Sequence, residues 1–572
     1  MQNMNGFSER IFRERYAINE MEMWEDACRR VAKIISSPEP IEKWQEYENI
    51  FFHELFSNRF MPGGRIWYGA GRPKGQLINC YVLDCDYMDS REGWGRVVSD
   101  SIIVSGTGGG VGVNFSKVRP RGSEIKGHSG KATGSVSLME IINAAGEVIR
   151  AGGGRRTALM FCLNHDHPDI IEFMNKKLDL GQINNANISV MFMNESIENF
   201  LRKVDNDEMH NLMWNGEVIH QIPARQMWRS ILDNAIKCGD PGILNGFLAN
   251  EQNNLSYYAK LNATNPCGEQ YLEKYGCCDL GALVLPRFVT KNGHLDKRQL
   301  GKTIYAAVRF LDNVLDVNTY PLKEIEENCH HVRRIGLGVM GLHDMLILLG
   351  MKYSSSDAKE FTGSLLNFIK KNAYDASIDL AIEKGQFPAL NRSMFIESGF
   401  CKNSLSEGKR ERILRHGIRN CAILTIAPTG TTSIVSGCTS GIEPMYAAAY
   451  RRRFRSGDNL QEEIVEHPLF SKLKSENDQR ALLFESALDI SVEDHLHMQA
   501  ICQYHVDNAI SKTINLPKNY TGDDLDRIIR KYISQLKGVT LYRDGSRGES
   551  PIEPLSIEEA FHLSCKEGIC DI

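Results

Sequence analysis

Between Met61 and Gly154 short apolar runs alternate with clusters of glycine: "MPGGRIWYGAGRPKGQLINCYVL", then "SGTGGGVGVNFS", then "AGGGRRTALM". A glycine inside an apolar run weakens a strand and marks a bulge or a place where another backbone comes very close. Such runs fit short strands pressed against something else. Helical patterns take over further on, at 225–250, 297–320 and 361–384. In the last of these Leu365, Phe368, Ile369, Ala373, Ala376 and Leu380 share one face, and Gly385 marks the stop. Two more strands are expected, one in "NCAILTIAPTGTTS", which runs into a hydroxyl-rich loop, and one in "GVTLYRDGS". Strands that alternate with helices predict an α/β core. Residues 1–60 read as a helical N-terminal region, with apolar residues at helical spacing in "EMWEDACRRVAKIISS". Residues 61–550 hold the core, and 551–572 form a polar tail.

A chain of 572 residues exceeds one small core, and 42% hydrophobic with 24% charged residues is ordinary for a globular protein. The formal net charge of −5 gives no support to a nucleic-acid or membrane-surface role. No run of apolar residues is long enough to span a bilayer, and "MQNMNGFSERIFRERY" has no signal core, so a cytoplasmic location is expected. Fifteen cysteines in so long a chain do not make a disulfide framework. No pair of CxxC motifs exists, and no metal site is expected.

The glycine clusters are not nucleotide-binding fingerprints. "GTGGGVGV" has Val111 where a dinucleotide fold needs its third glycine. "GHSGKATG" has Ala132 after Lys131, and Ile125 where a P-loop begins. "NATNPCGE" (262–269) is more informative. Pro266 pushes Asn265 out of the helical region, so an extended or looped backbone is expected to project Asn265, Cys267 and Glu269 to one side. That arrangement reads either as a catalytic loop or as a turn with a buried cysteine and a surface glutamate. "PTGTTS" (428–433) reads either as a phosphate-binding nest or as a hydroxyl turn that caps a helix. Cys80 in "INCYVL" and Cys278 in "GCCDLGALVLP" sit in strand-like runs where packing is the ordinary role. "CKEGIC" places Cys565 and Cys570 in a polar segment near the chain end, which suits thiol–disulfide exchange. Metal binding competes there, although only two ligands are offered.

Taken together and in order over about residues 7–550, these motifs resemble the catalytic chain of ribonucleotide reductases. Within that family the resemblance is to the class II enzymes, which depend on adenosylcobalamin. It rests on "MPGGRI…INCYVL", "GGGVGVNFSKVRPRGS", "GSVSLMEIINAAGEVIRAGGGRRTALM", "HPDIIEF", "NPCGE", "CDLGALVLP", "RRIGLGVMGLHDML", "APTGTTSIVSGCTSGIEP", "MQAICQYHVDNAISKTINLP" and "GVTLYRDGSR". The resemblance implies a ten-stranded α/β barrel with a finger loop through its centre, tipped by "NPCGE". It also implies that Cys267 becomes a thiyl radical that takes the 3′-hydrogen of a ribonucleotide. Glu269 would be the general base on the 3′-hydroxyl, and Asn265 would orient the substrate. Cys80 and Cys278 would supply the reducing equivalents and end as a disulfide, with Cys278 favoured over Cys277 by the family's C-x-L-G pattern. Asn79 and the loop Pro428, Thr429, Gly430, Thr431, Thr432 and Ser433 would bind the substrate. Cys565 and Cys570 would shuttle electrons along a flexible tail from a thioredoxin- or glutaredoxin-like reductant.

A family member that receives its radical from a partner protein uses two stacked tyrosines near the barrel's end. Here that region reads "TLYRDGSR", with Tyr542 beside Arg543. The resemblance therefore favours adenosylcobalamin as the cofactor. The alternatives are a class I-type large subunit that needs a radical-generating partner, and a non-radical thiol oxidoreductase or nucleotide-binding regulator on the same scaffold. Segments within about 80–160 would bind deoxynucleotide specificity effectors, with Asp89, Lys117 and Arg119 as contacts. The loops 119–134 and 151–159 would link effector to substrate choice. Such a site usually lies at a dimer interface, so a homodimer is implied.

Overall fold

A computed structural model describes residues 6–125, 129–151, 155–178, 183, 185–456, 459–544 and 552–562. The chain begins with three helices, α1 (Gly6–Arg15), α2 (Trp24–Ile35) and α3 (Ile41–Phe56). Helix α2 buries Ala27, Cys28, Val31, Ala32 and Ile35, the stripe its sequence spacing predicts. Phe51 of α3 and Phe60 both meet Phe310 edge-on, with ring centroids 5.2 Å apart in each case, and this docks the helical region on the core.

Ten strands form one sheet: β1 (Phe60–Pro62), β2 (Cys80–Val82), β3 (Gly110–Asn114), β4 (Leu159–Asn164), β5 (Ala186–Met191), β6 (Gly242–Leu244), β7 (Cys277–Val284), β8 (Ile335–Met340), β9 (Thr513–Leu516) and β10 (Gly538–Arg543). The order is β1-β7-β2-β3-β4-β5-β6-β10-β9, and β8 pairs with β7. Strands β2 to β6 pair in parallel, as do β7 with β8 and β9 with β10, and the two groups meet antiparallel at β2/β7 and β6/β10.

The segment expected to be a strand in "NCAILTIAP" makes only single bridges, Leu337 to Leu424 and Ile426 to Ile510. Its hydrogen bonds still join the ends of the sheet. Leu337 N donates to Ile423 O at 2.8 Å and Ser511 N to Ile426 O at 2.8 Å. The residues that follow 511 lead into β9, so this segment takes the place between β8 and β9. Its irregularity has a cause. Thr425 Oγ1 lies 2.6 Å from Glu269 O and 2.9 Å from Ala509 O, which draws the segment inward toward the loop that carries Glu269.

That loop is a narrow hairpin, Ala263–Thr264 against Tyr271–Leu272, lying among the strands. Its passage explains the glycines of β3. A Cβ on Gly112 would stand 1.9 Å from Thr264 O, and one on Gly110 would stand 2.8 Å from Pro266 Cγ. Asn side chains fix the hairpin on both flanks. Asn114 Nδ2 donates to Asn262 O at 2.8 Å, Asn187 Nδ2 donates to Pro266 O at 2.9 Å, and Asn508 Oδ1 accepts from Tyr271 N at 2.8 Å.

The long helix α4 (Ser356–Lys384) starts five residues earlier than its apolar face suggests, because Ser355 caps it by accepting from Ala358 N. At the other end of the chain, Ile552–Leu555 pairs antiparallel with Ala449–Arg452, and Ile557–His562 is helical. Leu555 and Ala560 are buried. Part of the stretch read as a free tail is therefore packed, because its apolar residues find a sheet edge and a core; Cys565 and Cys570 lie outside the described residues. No helix among the described residues is long and apolar enough to cross a membrane.

Candidate active site

Cys80 opens β2 and Cys278 stands opposite it in β7, one register pair of the antiparallel junction. Alternation along the strand sends Cys277 to the other face. There it joins the outer core, with Cys329 and Tyr320 close by. Cys80 and Cys278 lie instead in a separate inner cluster with Val82, Met160, Cys162 and Tyr271. Only Cys278 can meet Cys80.

The tip of the hairpin is a β-turn, in which Gly268 N donates to Asn265 O at 3.0 Å, with Pro266 and Cys267 at its two central positions. The extended alternation expected from the sequence is thus replaced by a turn. Asn265, Cys267 and Glu269 nevertheless line one cavity of about 270 Å³, because the turn folds them toward the same space. Asn265 holds the turn and reaches Cys80. Its Oδ1 accepts from Gln270 N at 3.0 Å, and its Nδ2 lies 3.2 Å from Cys80 Sγ. Cys80 Sγ is 3.9 Å from Glu269 Oε1. Cys267 is exposed, and what it faces is this cavity.

Burial lifts the Glu269 carboxyl to about 7, against weaker opposing bonds from its own backbone amide, Asn265 and Cys80. Its Oε2 is buried without a hydrogen-bond partner among the described residues. A carboxyl poised near neutral pH in a cleft can take a proton and return it. The surface Cys267 exposes opens only on this enclosed cavity, so desolvation, reinforced by the nearby carboxylate, pushes its thiol up, and burial also raises Cys80 and Cys278. All three keep their S–H at neutral pH. That suits transfer of hydrogen atoms and protons, and it argues against nucleophilic attack by thiolate.

Pro428, Thr429, Gly430, Thr431 and Thr432 line the opposite part of the cavity, where a short helix (Gly430–Ser436) begins. Ser433 does not line it; its hydroxyl donates to Gly430 O at 3.0 Å. Thr431 Oγ1 is hydrogen-bonded to Tyr16 of the N-terminal helical region. Asn79 also lines the cavity, with Nδ2 3.5 Å from Cys80 Sγ. Sequence reasoning passed over Arg65, which lines the cavity from "MPGGRI", and Tyr16, which carries no motif.

Asp89, Lys117 and Arg119 are apart from this cavity. Arg119 clasps Asp89 at two points, 2.6 and 3.1 Å, and Lys117 is exposed. The loop 119–134 is pinned by Asp169, which accepts from Arg121 N at one end and Ser135 N at the other, both at 2.9 Å. Residues 126–128 of that loop and 152–154 of the second lie outside the described residues.

Residues 78–542 match the family described as "Ribonucleotide reductase, barrel domain", and residues 3–75 match "Ribonucleotide reductase, all-alpha domain". The chain belongs to the ribonucleotide reductase large-chain family. The barrel expectation stands through this match, and the ten-stranded sheet is the core of that barrel domain. Among relatives in this reductase family is the "Vitamin B12-dependent ribonucleoside-diphosphate reductase" of Thermoplasma acidophilum. It is 33% identical over 576 residues, which cover 92% of this chain and 72% of that protein. A protein of the same description from Mycobacterium tuberculosis is 33% identical over 577 residues, 94% of this chain and 77% of its own. The "Ribonucleoside-diphosphate reductase subunit alpha" of Chlamydia muridarum is 28% identical over 480 residues, 73% of this chain and 45% of its own.

Proposed function

We propose that this chain is an adenosylcobalamin-dependent reductase that converts ribonucleotides to 2′-deoxyribonucleotides. The observation that carries the reading is the convergence on a single interior cavity of one cavity-facing thiol, one carboxyl poised near neutrality and Cys80, whose cross-strand partner is Cys278. A base, a hydrogen-atom relay and a two-electron donor are what removal of a 2′-hydroxyl requires. In the overall change the C2′–O bond breaks and a C2′–H bond forms. The oxygen leaves as water, and Cys80 and Cys278 give up two protons and two electrons as their S–S bond forms.

Cys267 takes the 3′-hydrogen and returns it at the end. Glu269 holds the proton of the 3′-hydroxyl while the 2′-hydroxyl departs, and Asn265 and Asn79 orient the sugar. Thr429, Gly430, Thr431 and Thr432 hold the phosphates, with the Arg65 cation on the same cavity. The enclosing strands exclude water from the radical. Relatives named as diphosphate reductases support a ribonucleoside diphosphate as substrate.

The site fits the proposed cofactor in a feature of its wall. Gly63, Gly64, Gly108, Gly109 and Gly110 line the cavity and bring no side chain of their own to it, and Gly110 stands against Pro266 of the turn. Those glycines would hold the cofactor. Adenosylcobalamin, when bound, supplies a cobalt–carbon bond that cleaves homolytically, which is the oxidising equivalent the Cys267 thiol needs. The sequence "TLYRDGSR", with a single tyrosine, supports local generation of the radical. Electrons reach the Cys80–Cys278 pair from a thioredoxin-like reductant through Cys565 and Cys570. Deoxynucleotide effectors act near Asp89, Lys117 and Arg119 of a cytoplasmic homodimer.

The test is to assay the purified chain alone with adenosylcobalamin, a ribonucleoside diphosphate and a small dithiol. Deoxynucleotide formation that requires the cobalamin is expected. Turnover only after a second protein is added would replace this reading with the partner-dependent one. No reduction under either condition would favour a non-radical role.

A further inference from the structure

His165, Glu195 and His210 come together at the ends of neighbouring strands, away from the cavity. His165 follows β4 directly, Glu195 lies four residues beyond β5, and His210 sits in the first strand of a hairpin, Met209–Trp214 with Glu217–Pro223. One ligand atom from each of the three lies within 4.8 Å of the others. His165 Nε2 is 3.7 Å from Glu195 Oε2, and the two imidazoles stack with centroids 5.0 Å apart and planes 25° from parallel.

The hydrogen bonding of these rings is unusual. His165 is 0% exposed and His210 2% exposed, yet among the described residues no nitrogen of either ring has a hydrogen-bond partner. The chain satisfies its other buried imidazoles better. His167, two residues from His165, bonds Val118 O at 2.9 Å through one nitrogen and Asp169 N at 3.1 Å through the other. Among the described residues, five histidines are buried, and His343 and His495 each have at least one bonded nitrogen. Burying an imidazole with no partner at all is costly, and nature rarely leaves two side by side. Phe192 and Phe200 wall them in, at 4.5 Å from His165 and 5.1 Å from His210, and offer no hydrogen bond.

We propose that His165, Glu195 and His210 form a binding site for a divalent metal of the zinc type. Two neutral nitrogens and one carboxylate oxygen, with a fourth position for water, are a donor set that zinc accepts in tetrahedral geometry. Glu195 is the rim residue, with a side chain 20% exposed, so the metal has an entry path. Lys203 occupies the carboxylate meanwhile, at 2.7 Å, and its side chain is 30% exposed. Its ammonium must swing into solvent as the metal arrives. The ion would clasp the hairpin to the barrel. That hairpin is held loosely otherwise: only His210 and Leu212 of its first strand are buried, and its second strand is mostly exposed.

The experiment titrates the EDTA-dialysed full chain with Zn²⁺ against a chromophoric chelator, and separately with Co²⁺ for the visible spectrum. One zinc per chain is expected, with a tetrahedral Co²⁺ spectrum free of thiolate charge-transfer bands. His210→Gln and Glu195→Gln should each weaken zinc binding on the order of 100-fold or more, since even outer-shell changes cost 10–100-fold. Lys203→Met should tighten it, and zinc should slow hydrogen exchange across residues 209–223. Should His210→Gln fail to fold, the rim variants Glu195→Gln and Lys203→Met decide the matter. Zinc bound equally by wild type and variants, or a cobalt spectrum showing sulfur ligation, would overturn the site.

Discussion

Cys80 and Cys278 are direct cross-strand partners at the junction where the two parallel halves of the barrel meet antiparallel. Opposed residues of an antiparallel pair have Cα atoms about 4.5–5.5 Å apart, inside the range a disulfide spans. The pair can therefore oxidise without moving the backbone, and it does so on the inner face, within reach of Asn265 and Glu269. Pre-reduced enzyme with Cys565 and Cys570 changed to serine, given substrate and cobalamin but no reductant, should form about one product per chain. Peptide mapping should then show one new disulfide, Cys80–Cys278. A new disulfide through Cys277 would assign the reducing pair otherwise.

Cys267→Ser should bind nucleotide normally and form no deoxynucleotide. The hydroxyl O–H bond is too strong to replace the thiol as a hydrogen-atom relay, while the turn made by Asn265 and Gly268 does not involve the sulfur. Wild-type reduction by this variant, measured beside nucleotide binding, would remove Cys267 from the mechanism.

Glu269 yields a kinetic and a thermodynamic expectation. As a base lifted to about 7, it should give kcat/KM an acidic limb with an apparent pKa near 7, and Glu269→Gln should lower turnover by ~100-fold or more. The same shift opposes folding. A carboxyl with a folded pKa above its unfolded value keeps its contribution at low pH and loses it as pH rises from about 4.5 to about 7. At pH 8, Glu269→Gln should thus be more stable than wild type by up to about 3 kcal/mol, and the gain should vanish near pH 4. Denaturant titrations at the two pH values check the sign. A variant less stable at pH 8 would show that the carboxylate is well solvated.

Much of this site was readable in the chain. "NPCGE" announced an irregular backbone bearing a thiol and a carboxyl, and the glycines of β3 announced a close neighbour, which proved to be that same loop. The pairing of Cys80 with Cys278 came from resemblance, since residues nearly two hundred apart share no local pattern. Other features were hidden for similar reasons. Segment 422–426 has a strand's composition, but Thr425 is pulled inward by the Glu269 carbonyl, a tertiary contact that propensity cannot foresee. Tyr16 reaches Thr431 across 415 positions. His165 and His210 belong to different elements with no ligand spacing between them.

The Asp89–Arg119 pair is largely open to solvent, with side chains 41% and 26% exposed, so its value to stability is small. Asp89→Ala should leave basal reduction and melting temperature nearly unchanged and blunt the effect of deoxynucleotides on base preference. An unaltered effector response, measured with competing substrates, would take Asp89 out of the effector site.

The last expectation concerns how the inner disulfide is reduced. Cys278 is 0% exposed and Cys80 1% exposed, so no folded reductase protein can touch their sulfurs. A thin carrier is required, and Cys565 with Cys570 is the chain's terminal pair of thiols. The described part of the tail shows where such a carrier is held. Ile552–Leu555 adds a strand to Ala449–Arg452, and Ala560 is fully buried, so the chain is anchored on the protein shortly before the two cysteines. Thiols carried on the same chain reach an effective concentration on the order of mM, enough for intramolecular thiol–disulfide exchange to outrun a dilute external thiol. Changing Cys565 and Cys570 to serine should leave the first turnover of pre-reduced enzyme intact and abolish repeated turnover driven by thioredoxin. A small dithiol, able to enter the cavity itself, should restore part of the rate. Thioredoxin-driven turnover at the wild-type rate in the double variant would mean that electrons reach Cys80 and Cys278 by another route.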